Sequence, residues 1–525
     1  MITVTAPPGV DAKRAAALLV ELEIPPGAAQ RTQQKLVPLL PDQPLFTTGA
    51  SPTATVNIVA NGRRGAARVT VQVIDVDGNP LGVGTARHDL RPEQRSDLSI
   101  VLDPLFAIRQ DVVLAPDAPE KATARQVASA GDGRFVVVWE TCQTAEPVTC
   151  SVSGQLYANS ARTKQRFLDI ASTAGSDDMP AVAMLPGGDF AAVWRRHPSG
   201  QRPSIVASGF SANGDELAGG VVQLSDPAAS EVTHPDIVVL PAPDVASGPR
   251  YAAVWSQTVG SGALARHQIA VAQVVPEGLT LRVVPLAIAD QTGEDHRLVR
   301  PAIAAGPDTF ALAWLELGAG TAEVRVRVYS NSGERRGSEP LLLARSKQGL
   351  ASGLDLAPLP AGGYLAIWHD IDEQGPDASG RGIHTRRFSA GPEVLDDFEV
   401  ILNHEETHLA ATENDQFDPV LSPNGTRGLL ALWTSQEPTS ATIRGLRLRP
   451  IGAEGAPNGP GTDLVQLDLQ TASGATDARR PGAQRAAACA LDDQHVVITF
   501  LRPLPSDPSG RTFELLGRIV NADGS

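Results

Sequence analysis

The sequence predicts an all-β protein, with a seven-bladed β-propeller over residues 105–525 and a small β-sandwich over residues 1–104. One observation is a five-residue apolar strand that returns about every 60 positions, a period typical of propellers and solenoids. A second is the 49 Gly and 42 Pro among 525 residues, which favour many short strands and turns. All six Trp occupy the last position of this strand. Its copies are Phe135–Trp139, Phe190–Trp194, Tyr251–Trp255, Phe310–Trp314, Tyr364–Trp368 and Leu429–Trp433, with a seventh copy lacking Trp at His495–Thr499.

Each repeat unit contains four predicted strands, which the second unit shows most clearly. Its strands are Pro180–Leu185, Phe190–Arg195, Ser204–Phe210 and Gly220–Leu224, separated by polar or Gly-containing turns. Two successive hairpins make a four-stranded antiparallel sheet, the building block of a propeller. Prolines mark the predicted start of several units, at Pro180, Pro235, Pro301 and Pro419.

The two ends of the repeat region predict how the ring closes. The seventh unit stops at Ser525, just after its third strand, and Arg109–Leu114 resembles the fourth strands of other units. We expect this segment to complete the last blade, because a closed ring leaves no free sheet edge. An open stack of blades is the alternative.

Residues 1–104 lack the repeat but contain strand-length runs. The Asp77-Gly78 pair favours a hairpin turn, and Gln30–Pro52 is interpreted as a long loop or edge region. Several short strands within about 100 residues predict an immunoglobulin-like β-sandwich. A short helix over Asp11–Glu23 is the alternative for the first run. The predicted strands are Ala16–Ile24, Ala54–Ala60, Ala67–Val76 and Asp97–Leu102.

Charge, hydropathy and cysteine content limit the function classes. The net charge of −15 argues against a nucleic-acid binder, and no apolar run approaches the roughly 20 residues of a membrane-spanning helix. No signal peptide is visible, although the numbering can begin after a removed leader. Cys142 and Cys150 flank a loop and are candidates for a disulfide, which would suit an oxidising compartment; two reduced thiols are the alternative. Cys489 has no obvious mate.

The fifth unit resembles a repeat of bacterial secreted and surface proteins of the hemolysin-type calcium-associated class. The resemblance lies in Ala361–Trp368, Pro376–His384 and Arg386–Ala390, against the form Gly-Gly-Phe-x-Val-x-Trp, Asp-Gly-Ser-Gly-x-Gly-Ile and Gln-Arg-Phe. Ala378 replaces a Gly and Arg386 takes the place of Gln. The resemblance implies a propeller outside the cell or at the bacterial surface, an adhesive or scaffolding role, and no catalytic residues.

Two motifs could hold metals. His404-Glu405-Glu406-Thr407-His408 fits the zinc pattern His-Glu-x-x-His, but it lies in a linker between blades, so we interpret it as a surface helix or loop. An acidic loop in the fifth unit could bind calcium through carboxylate oxygens, with a solvated loop as the alternative. The acids of that loop are Asp370, Asp372, Glu373 and Asp377.

The residues just before each predicted first strand are expected to line the mouth of the central channel. They carry both signs of charge and could coordinate a polar ligand; a self-neutralising ring of salt bridges is the alternative. These residues are Asp178, His234, Arg300, Asp418 and Arg480.

The sequence predicts a non-enzymatic binding or scaffold protein that presents propeller loops to a protein partner. All Trp and Tyr occupy repeat positions, which leaves few aromatics to stack on a sugar. These are Phe167, Phe398 and Phe417, for which packing into the core is the alternative. No Gly-x-Ser-x-Gly nucleophile motif occurs. The alternatives are a propeller hydrolase or lyase acting on a polysaccharide, with carboxylates at the channel mouth, and a structural subunit of a surface assembly docked through the N-terminal domain.

Overall fold

The fold was analysed in a computed structural model. It describes residues 1–6, 10, 12–23, 33–38, 46–47, 52–57, 65–75, 80–91, 97–113, 126–143, 149–158, 161–162, 168–171, 175–242, 248, 250–286, 288–293, 295–346, 351–371, 381–397, 399–402, 416–424, 427–436, 444–458, 462–467, 486–503 and 512–521. The chain divides into two compact units, Met1–Gln110 with Leu515–Val520, and Asp111–Glu514 with Asn521–Ser525.

The first unit consists of two sheets over one core. Its strands are β1 (Ile2–Thr5), β2 (Ala17–Glu23), β3 (Gln33–Pro38), β4 (Thr53–Val56), β5 (Gly65–Ile74), β6 (Pro80–Leu90), β7 (Leu98–Val101) and β8 (Asp103–Val113). One sheet has the order β4-β1-β7, and the other begins β3-β2-β5-β6-β8. Buried Val4 and Ile100 from the first sheet share a core with Leu18 and Val71 from the second. The two sheets therefore pack face to face.

Sequence reasoning located most of these strands but missed two. The segment Ala17–Glu23 is a strand, as its alternating pattern predicts, and not the alternative helix. The interpretation of Gln30–Pro52 as a loop or edge region overlooked β3, which forms the edge of its sheet. The partner strand β6 was also missed, because its Gly, Arg, His and Asp residues hide the alternation of a strand.

The second unit is built from repeated strand groups. The first groups contain β9 (Val127–Ser129), β10 (Arg134–Cys142), β11 (Cys150–Ala158), β12 (Ala161–Arg162), β13 (Leu168–Ala171), β14 (Gly175–Met184), β15 (Phe190–Pro198), β16 (Ser204–Phe210), β17 (Val222–Gln223), β18 (Ala229–Leu240), β19 (Arg250–Val259), β20 (Arg266–Glu277), β21 (Thr280–Pro285) and β22 (Asp290–Thr292), with a short 3-10 helix at Gly262–Leu264. The later groups contain β23 (Arg297–Ala305), β24 (Thr309–Gly318), β25 (Thr321–Ser330), β26 (Arg335–Ser346), β27 (Ser352–Pro358), β28 (Tyr364–Ile371), β29 (Arg381–Phe388), β30 (Val400–Ile401), β31 (Gln416–Pro423), β32 (Leu429–Gln436), β33 (Arg444–Ile451), β34 (Thr462–Leu467), β35 (Ala487–Ala490), β36 (His495–Pro503) and β37 (Thr512–Asn521).

These strands form four-stranded antiparallel sheets in which spatial order follows chain order. The sheets are β14-β15-β16-β17, β23-β24-β25-β26, β27-β28-β29-β30 and β31-β32-β33-β34, and two further sheets, β9 to β12 and β18 to β21, each carry one extra strand. In the last group β35 pairs with β36, while β37, most of which belongs to the first unit, is hydrogen-bonded to β8. The chain is thus all-β, with the sheet type of a β-propeller.

The first strands of successive sheets contact one another in cyclic order. The contacts run from β9 to β14, β18, β23, β27, β31 and β35, and from β35 back to β9. Buried clusters combine side chains from successive sheets, for example Val193 with Trp255. We number the sheets one to seven along this order and call them blades.

The repeated pentamer forms the second strand of each blade and explains why the motif recurs. Trp194, Trp314 and Trp368 are fully buried. The aromatic residue that opens the pentamer stacks on the aromatic residue of the third strand at the directly paired position. These stacked pairs are Phe135–Tyr157, Phe190–Phe210, Phe310–Tyr329 and Tyr364–Phe388.

Prolines that were expected to begin the units lie inside the first strands instead. Strand β14 begins at Gly175, before Pro180, and β18 begins at Ala229, before Pro235. Proline has no N–H for a central ladder and is tolerated in a strand interior only at a bulge. The register of the first hairpin shifts at each of these positions, so a bulge is present.

Candidate functional site

Among the residues that the structure describes, five blades carry a residue with left-handed backbone at the equivalent bulge of the first strand. We call this set the bulge ring; its members and φ angles are Met179 (53°), His234 (51°), Arg300 (52°), Gly353 (61°) and Asp418 (47°). A left-handed non-Gly residue costs on the order of 1–3 kcal/mol, and a residue before proline normally adopts extended backbone. Four of the five members are residues other than Gly, and each of these four precedes a Pro. The fold therefore retains backbone strain at the same place in four repeats.

The residue just before each bulge pairs across the hairpin with the residue just after the Trp position. We call these cross-strand partners the variable pairs, because the residues around them keep their type while these change. In blades two to six they are Asp178 with Arg195, Thr233 with Ser256, Val299 with Leu315, Ser352 with His369, and Phe417 with Thr434.

In the first three blades the bulge ring is closed by buried contacts. Arg195 holds Asp178 through two hydrogen bonds, Nε to Oδ1 at 2.7 Å and Nη2 to Oδ2 at 2.5 Å, and both side chains are buried. The Met179 N–H donates to the Glu140 carboxylate of blade one at 2.9 Å, and the His234 N–H donates to the Met179 sulfur at 3.4 Å. On this side of the ring the charge of Asp178 is balanced by Arg195, and the backbone N–H groups of Met179 and His234 are bound by neighbouring side chains.

In blades four to six the bulge ring is linked by a serine and a histidine. Arg300 donates from Nη1 to the Ser352 hydroxyl at 2.7 Å. The Asp418 N–H donates to Nδ1 of His369 at 3.3 Å, so the neutral ring carries its proton on Nε2. A Cβ on Gly353 would lie 2.6 Å from Nδ1 of His369, which explains the glycine at this bulge.

His369 is a buried histidine with a lowered pKa. Burial is the main cause, and electrostatic repulsion from Arg300, Arg381 and His384 adds to it, so that the pKa is about 3. The Arg381 guanidinium lies 5.4 Å from the centre of the Phe417 ring, which meets the His369 ring edge-on. His369 is therefore neutral at pH 7.

Two buried aspartates that sequence reasoning missed join the first strands of neighbouring blades. Asp236 accepts the N–H of Ile303 at 3.0 Å, and Asp355 accepts the N–H of Leu421 at 2.7 Å. Each carboxylate also accepts the N–H of the residue that follows it. Both lie two residues after a bulge, and an acid inside an apolar run was the available signal.

The structure locates four of the five predicted channel-mouth residues. His234, Arg300 and Asp418 are members of the bulge ring, and Asp178 is the residue before one. They lie inside the first strands and not before them, as the sequence interpretation had it, because the prolines occupy bulges. Asp178 forms a salt bridge with Arg195, as the alternative interpretation of a self-neutralising ring expects for this residue. Arg480 lies outside the described residues.

The predicted metal sites fall mostly outside the described residues, which exclude His404–His408 as well as Asp372, Glu373 and Asp377. Asp370 belongs to strand β28 and not to a loop, and it accepts a hydrogen bond from the Ser346 hydroxyl at 2.8 Å. Across the ranges that the structure describes, no three His, Cys, Asp or Glu side chains come together in a way that could hold a metal. Calcium binding stays a prediction.

The structure describes all three cysteines and one of the three aromatic residues that could stack on a sugar. Cys142 and Cys150 form a disulfide across the β10–β11 hairpin, with a Cα–Cα distance of 3.9 Å. Cys489 is a free thiol whose pKa is raised by burial. Phe417 is buried in β31, so it offers no exposed ring to a sugar; Phe167 and Phe398 lie outside the described part.

One pair of acids lies at the boundary of blades three and four. The pKa of Asp290 is raised, mainly by burial, and the nearby charge of Glu316 raises it further. Glu316 contacts Nδ1 of His296 at 2.6 Å and also pairs with Arg325. A carboxyl group with a raised pKa beside a second carboxylate is a combination that acid–base chemistry uses.

Comparisons with known proteins identify no family. No family model matches the chain, and no curated protein sequence matches it. The resemblance to hemolysin-type repeats therefore rests on the fifth-unit residues alone.

Solved structures of propeller glycoside hydrolases are similar to the chain in fold. The GH93 alpha-L-arabinofuranosidase of Fusarium graminearum is 12% identical, with 65% of this chain and 92% of that one covered and a TM-score of 0.42. The NanB sialidase of Streptococcus pneumoniae is 8% identical, with coverages of 96% and 92% and a TM-score of 0.37. A protein of unknown function from Dyadobacter fermentans is 11% identical, with coverages of 79% and 98% and a TM-score of 0.38. At these identities the likeness concerns the fold alone.

Within the described ranges, none of the helical structure is long and apolar enough to cross a membrane.

Proposed function

We propose that the protein is a non-enzymatic binding or scaffold protein of the bacterial surface or exterior, which presents one end of a propeller to a protein partner. The observation that carries the proposal is the contrast between the constant Trp position and the variable pair beside it. Asp–Arg, Thr–Ser, Val–Leu, Ser–His and Phe–Thr occupy one structural position in five blades. Most of these side chains are buried, and a partner would reach the half-buried residues beside them, such as His234, Arg300 and Asp418.

The proposal includes a finer statement of the fold. Seven blades, closed by pairing of β8 with β37, would give a ring without free edges. The cyclic contacts of the first strands support it. Closure would hold the variable pairs in fixed positions around one axis.

A protein partner is favoured over a sugar because of the aromatic residues. Lectin sites stack sugars on exposed rings, whereas Trp194, Trp314, Tyr157 and Tyr364 are almost completely buried. The disulfide favours an oxidising compartment such as the cell exterior. The fold contributes nothing to this choice, since propellers host many unrelated functions.

A pull-down with the purified full chain tests the proposal. The bait is incubated with envelope extract, with calcium, with EDTA, and with a zinc chelator, and bound material is identified by mass spectrometry. A specific protein partner that resists chelation is the expected result. Retention or trimming of a glycan without any protein partner would contradict the proposal.

A polysaccharide-acting hydrolase is the second candidate, and the Asp290–Glu316 pair favours it. Glycoside hydrolysis uses two carboxyl groups, one with a raised pKa as the general acid. Release of reducing sugar from arabinan or another polysaccharide, lost in Asp290→Asn and in Glu316→Gln, would establish this reaction. Equal release by wild type and both variants would exclude these acids.

The hypothesis of a structural subunit docked through the N-terminal domain has weaker support. Val101 is the large apolar side chain that is most exposed among those described in that unit. Single exposed apolar residues are common on protein surfaces and do not indicate an interface.

A further inference from the structure

The Trp side chains of the repeated pentamer differ in what their indole N–H binds. In blade two the Trp194 N–H donates to the Asp177 carboxylate at 3.2 Å, and in blade three the Trp255 N–H donates to the side-chain oxygen of Gln257 at 2.9 Å. A buried Trp normally finds such an acceptor for its N–H. The chain itself supplies the acceptor in these two blades.

In blade five no described residue accepts the Trp368 N–H, although the ring is fully buried. The residue at the position of Gln257, two after the Trp, is Asp370, which accepts the Ser346 hydroxyl at 2.8 Å. The buried cluster that contains Trp368 draws apolar residues from blade four, among them Leu315 and Val324. A buried donor without an acceptor is rare in native proteins, because its lost hydration is not replaced.

His384 lies directly opposite Trp368 on the third strand and carries an unmatched acceptor. The two rings are close to parallel, with their centres 6.0 Å apart. Nδ1 of His384 lies 3.1 Å from a carboxylate oxygen of Glu399. Because an ionised carboxylate can only accept, Nδ1 carries the proton, and Nε2 of the neutral ring is an acceptor. Nε2 is buried and has no donor among the described residues.

The two unmatched atoms are complementary to one hydroxyl group. Trp368 Nε1 donates and His384 Nε2 accepts, so a molecule that satisfies both must accept one hydrogen bond and donate another. A hydroxyl group does both, whereas a carboxylate only accepts and an ammonium group only donates. The exposed fraction is 0% for Trp368 and 4% for His384, which favours the smallest hydroxyl compound, water.

We propose that Trp368 Nε1 and His384 Nε2 bind one buried water molecule at the boundary of blades four and five. Buried waters typically bridge polar groups that lack a partner within the protein. The water takes the place of the acceptor that Asp177 and Gln257 supply in blades two and three. Glu399 contributes by holding the proton on Nδ1, which leaves Nε2 as the acceptor. Water binding here does not depend on the proposed function.

Water contact with the indole protons tests the site in a single NMR spectrum. The full chain is labelled with ¹⁵N-Trp, and rotating-frame cross peaks between water and each indole N–H are measured; their sign distinguishes contact from proton exchange. We expect a water contact at Trp368 and none at Trp194 or Trp255, the internal controls whose N–H groups are bound by the chain. Single Trp→Phe substitutions at these three positions assign the peaks.

Two further variants separate the role of His384 from a general effect of mutation. His384→Phe keeps an aromatic ring beside Trp368 but removes the acceptor, so the water contact at Trp368 should be lost. Thr385→Val is the matched control, because the next residue on the strand is also buried and its hydroxyl donates to the Val400 carbonyl instead. This variant should keep the water contact. Circular dichroism checks that both variants are folded.

Three results would overturn the water site. Absence of a water contact at Trp368 in the wild type would mean that another part of the chain accepts its N–H. Contacts of equal strength at Trp368, Trp194 and Trp255 would mean that the chain acceptors make no difference. Persistence of the contact in folded His384→Phe would mean that His384 does not hold the water. The comparison of the three indoles decides the question if His384→Phe does not fold.

Discussion

The two sides of the bulge ring solve the same backbone problem with different side chains. Blade two places Asp178 before its bulge and neutralises it with Arg195 in a buried pair. Blade four has the uncharged Val299 before its bulge, and its charged residue is Arg300 at the bulge itself. The Arg300 side chain donates a hydrogen bond to Ser352 of the next blade. The bulge is identical in kind, and the chemistry differs.

This difference teaches how a repeat can combine stability with recognition. The Trp position and the stacked aromatics are kept because they pack between neighbouring blades, as Phe190 and Trp194 do against Val136 and Val138. The variable pair lies one residue beyond this frame and can change without altering it. We therefore expect substitutions in the buried pair of blade two to lower stability more than substitutions of the half-buried Arg300 in blade four.

The largest expected effect is on stability, from a substitution in the buried Asp178–Arg195 pair of blade two. Asp178→Ala should lower the free energy of unfolding by about 3–5 kcal/mol, because the buried charge of Arg195 loses the carboxylate that holds it through two hydrogen bonds. Urea unfolding followed by Trp fluorescence measures the change, since the Trp residues lie next to the variable pairs.

The double variant Asp178→Ala, Arg195→Leu is the matched control. It removes both charges and should recover most of the lost stability. A loss below about 1 kcal/mol for Asp178→Ala would show that the pair is solvated and that the two sides of the ring do not differ as described.

A medium effect is expected on the pH dependence of stability, from titration of His369. The pKa of His369 is about 3 in the folded chain, below its usual value of 6.5. Between these two pH values the imidazole is protonated in the unfolded chain and neutral in the folded chain. Its contribution lowers stability by about 1.4 kcal/mol per pH unit as pH falls from 6.5 towards 3. His369→Gln keeps an acceptor for the Asp418 N–H and removes this dependence.

Unfolding of both proteins at pH 7 and pH 5 checks the prediction. Between these two values the wild type should lose about 2 kcal/mol more than His369→Gln does. Parallel loss in both proteins would mean that His369 titrates normally and is not buried among cations.

The smallest effect is a gain in stability from relief of backbone strain. His234→Gly and Arg300→Gly should each raise the free energy of unfolding by about 1 kcal/mol, because glycine adopts positive φ without a steric cost. Unfolding curves of the two variants measure the gain.

Gly353→Ala is the reverse control. Its Cβ would meet His369 at 2.6 Å with backbone at φ 61°, so stability should fall. If all three substitutions left the free energy of unfolding unchanged, the left-handed bulges would carry no strain.

The extent to which sequence predicted this structure depended on how residues signal their role. The Trp spacing and the aromatic positions Phe190 and Phe210 revealed the blades, because rare residues at a regular interval stand out. Strand β16 has the predicted bounds of Ser204–Phe210. Pro180 was visible, but it was interpreted as a strand start, because a central strand normally excludes proline.

The site was harder to predict than the fold. A left-handed φ at a residue such as Arg300 has no sequence signature, since Asn or Gly usually marks this conformation. Pairing of Ser352 with His369 depends on the register shift at the bulge, which sequence alone does not reveal. Asp355 could have been found, because an isolated acid in an apolar strand suggests a buried hydrogen-bonding role.

Unfolding of two single variants tests most directly whether the two sides of the bulge ring differ. Asp178→Ala removes one member of a buried ion pair, whereas Arg300→Gln changes a half-buried residue. The account predicts a loss of about 3–5 kcal/mol in the free energy of unfolding for Asp178→Ala and of less than about 1 kcal/mol for Arg300→Gln. Losses of equal size in the two variants would contradict it.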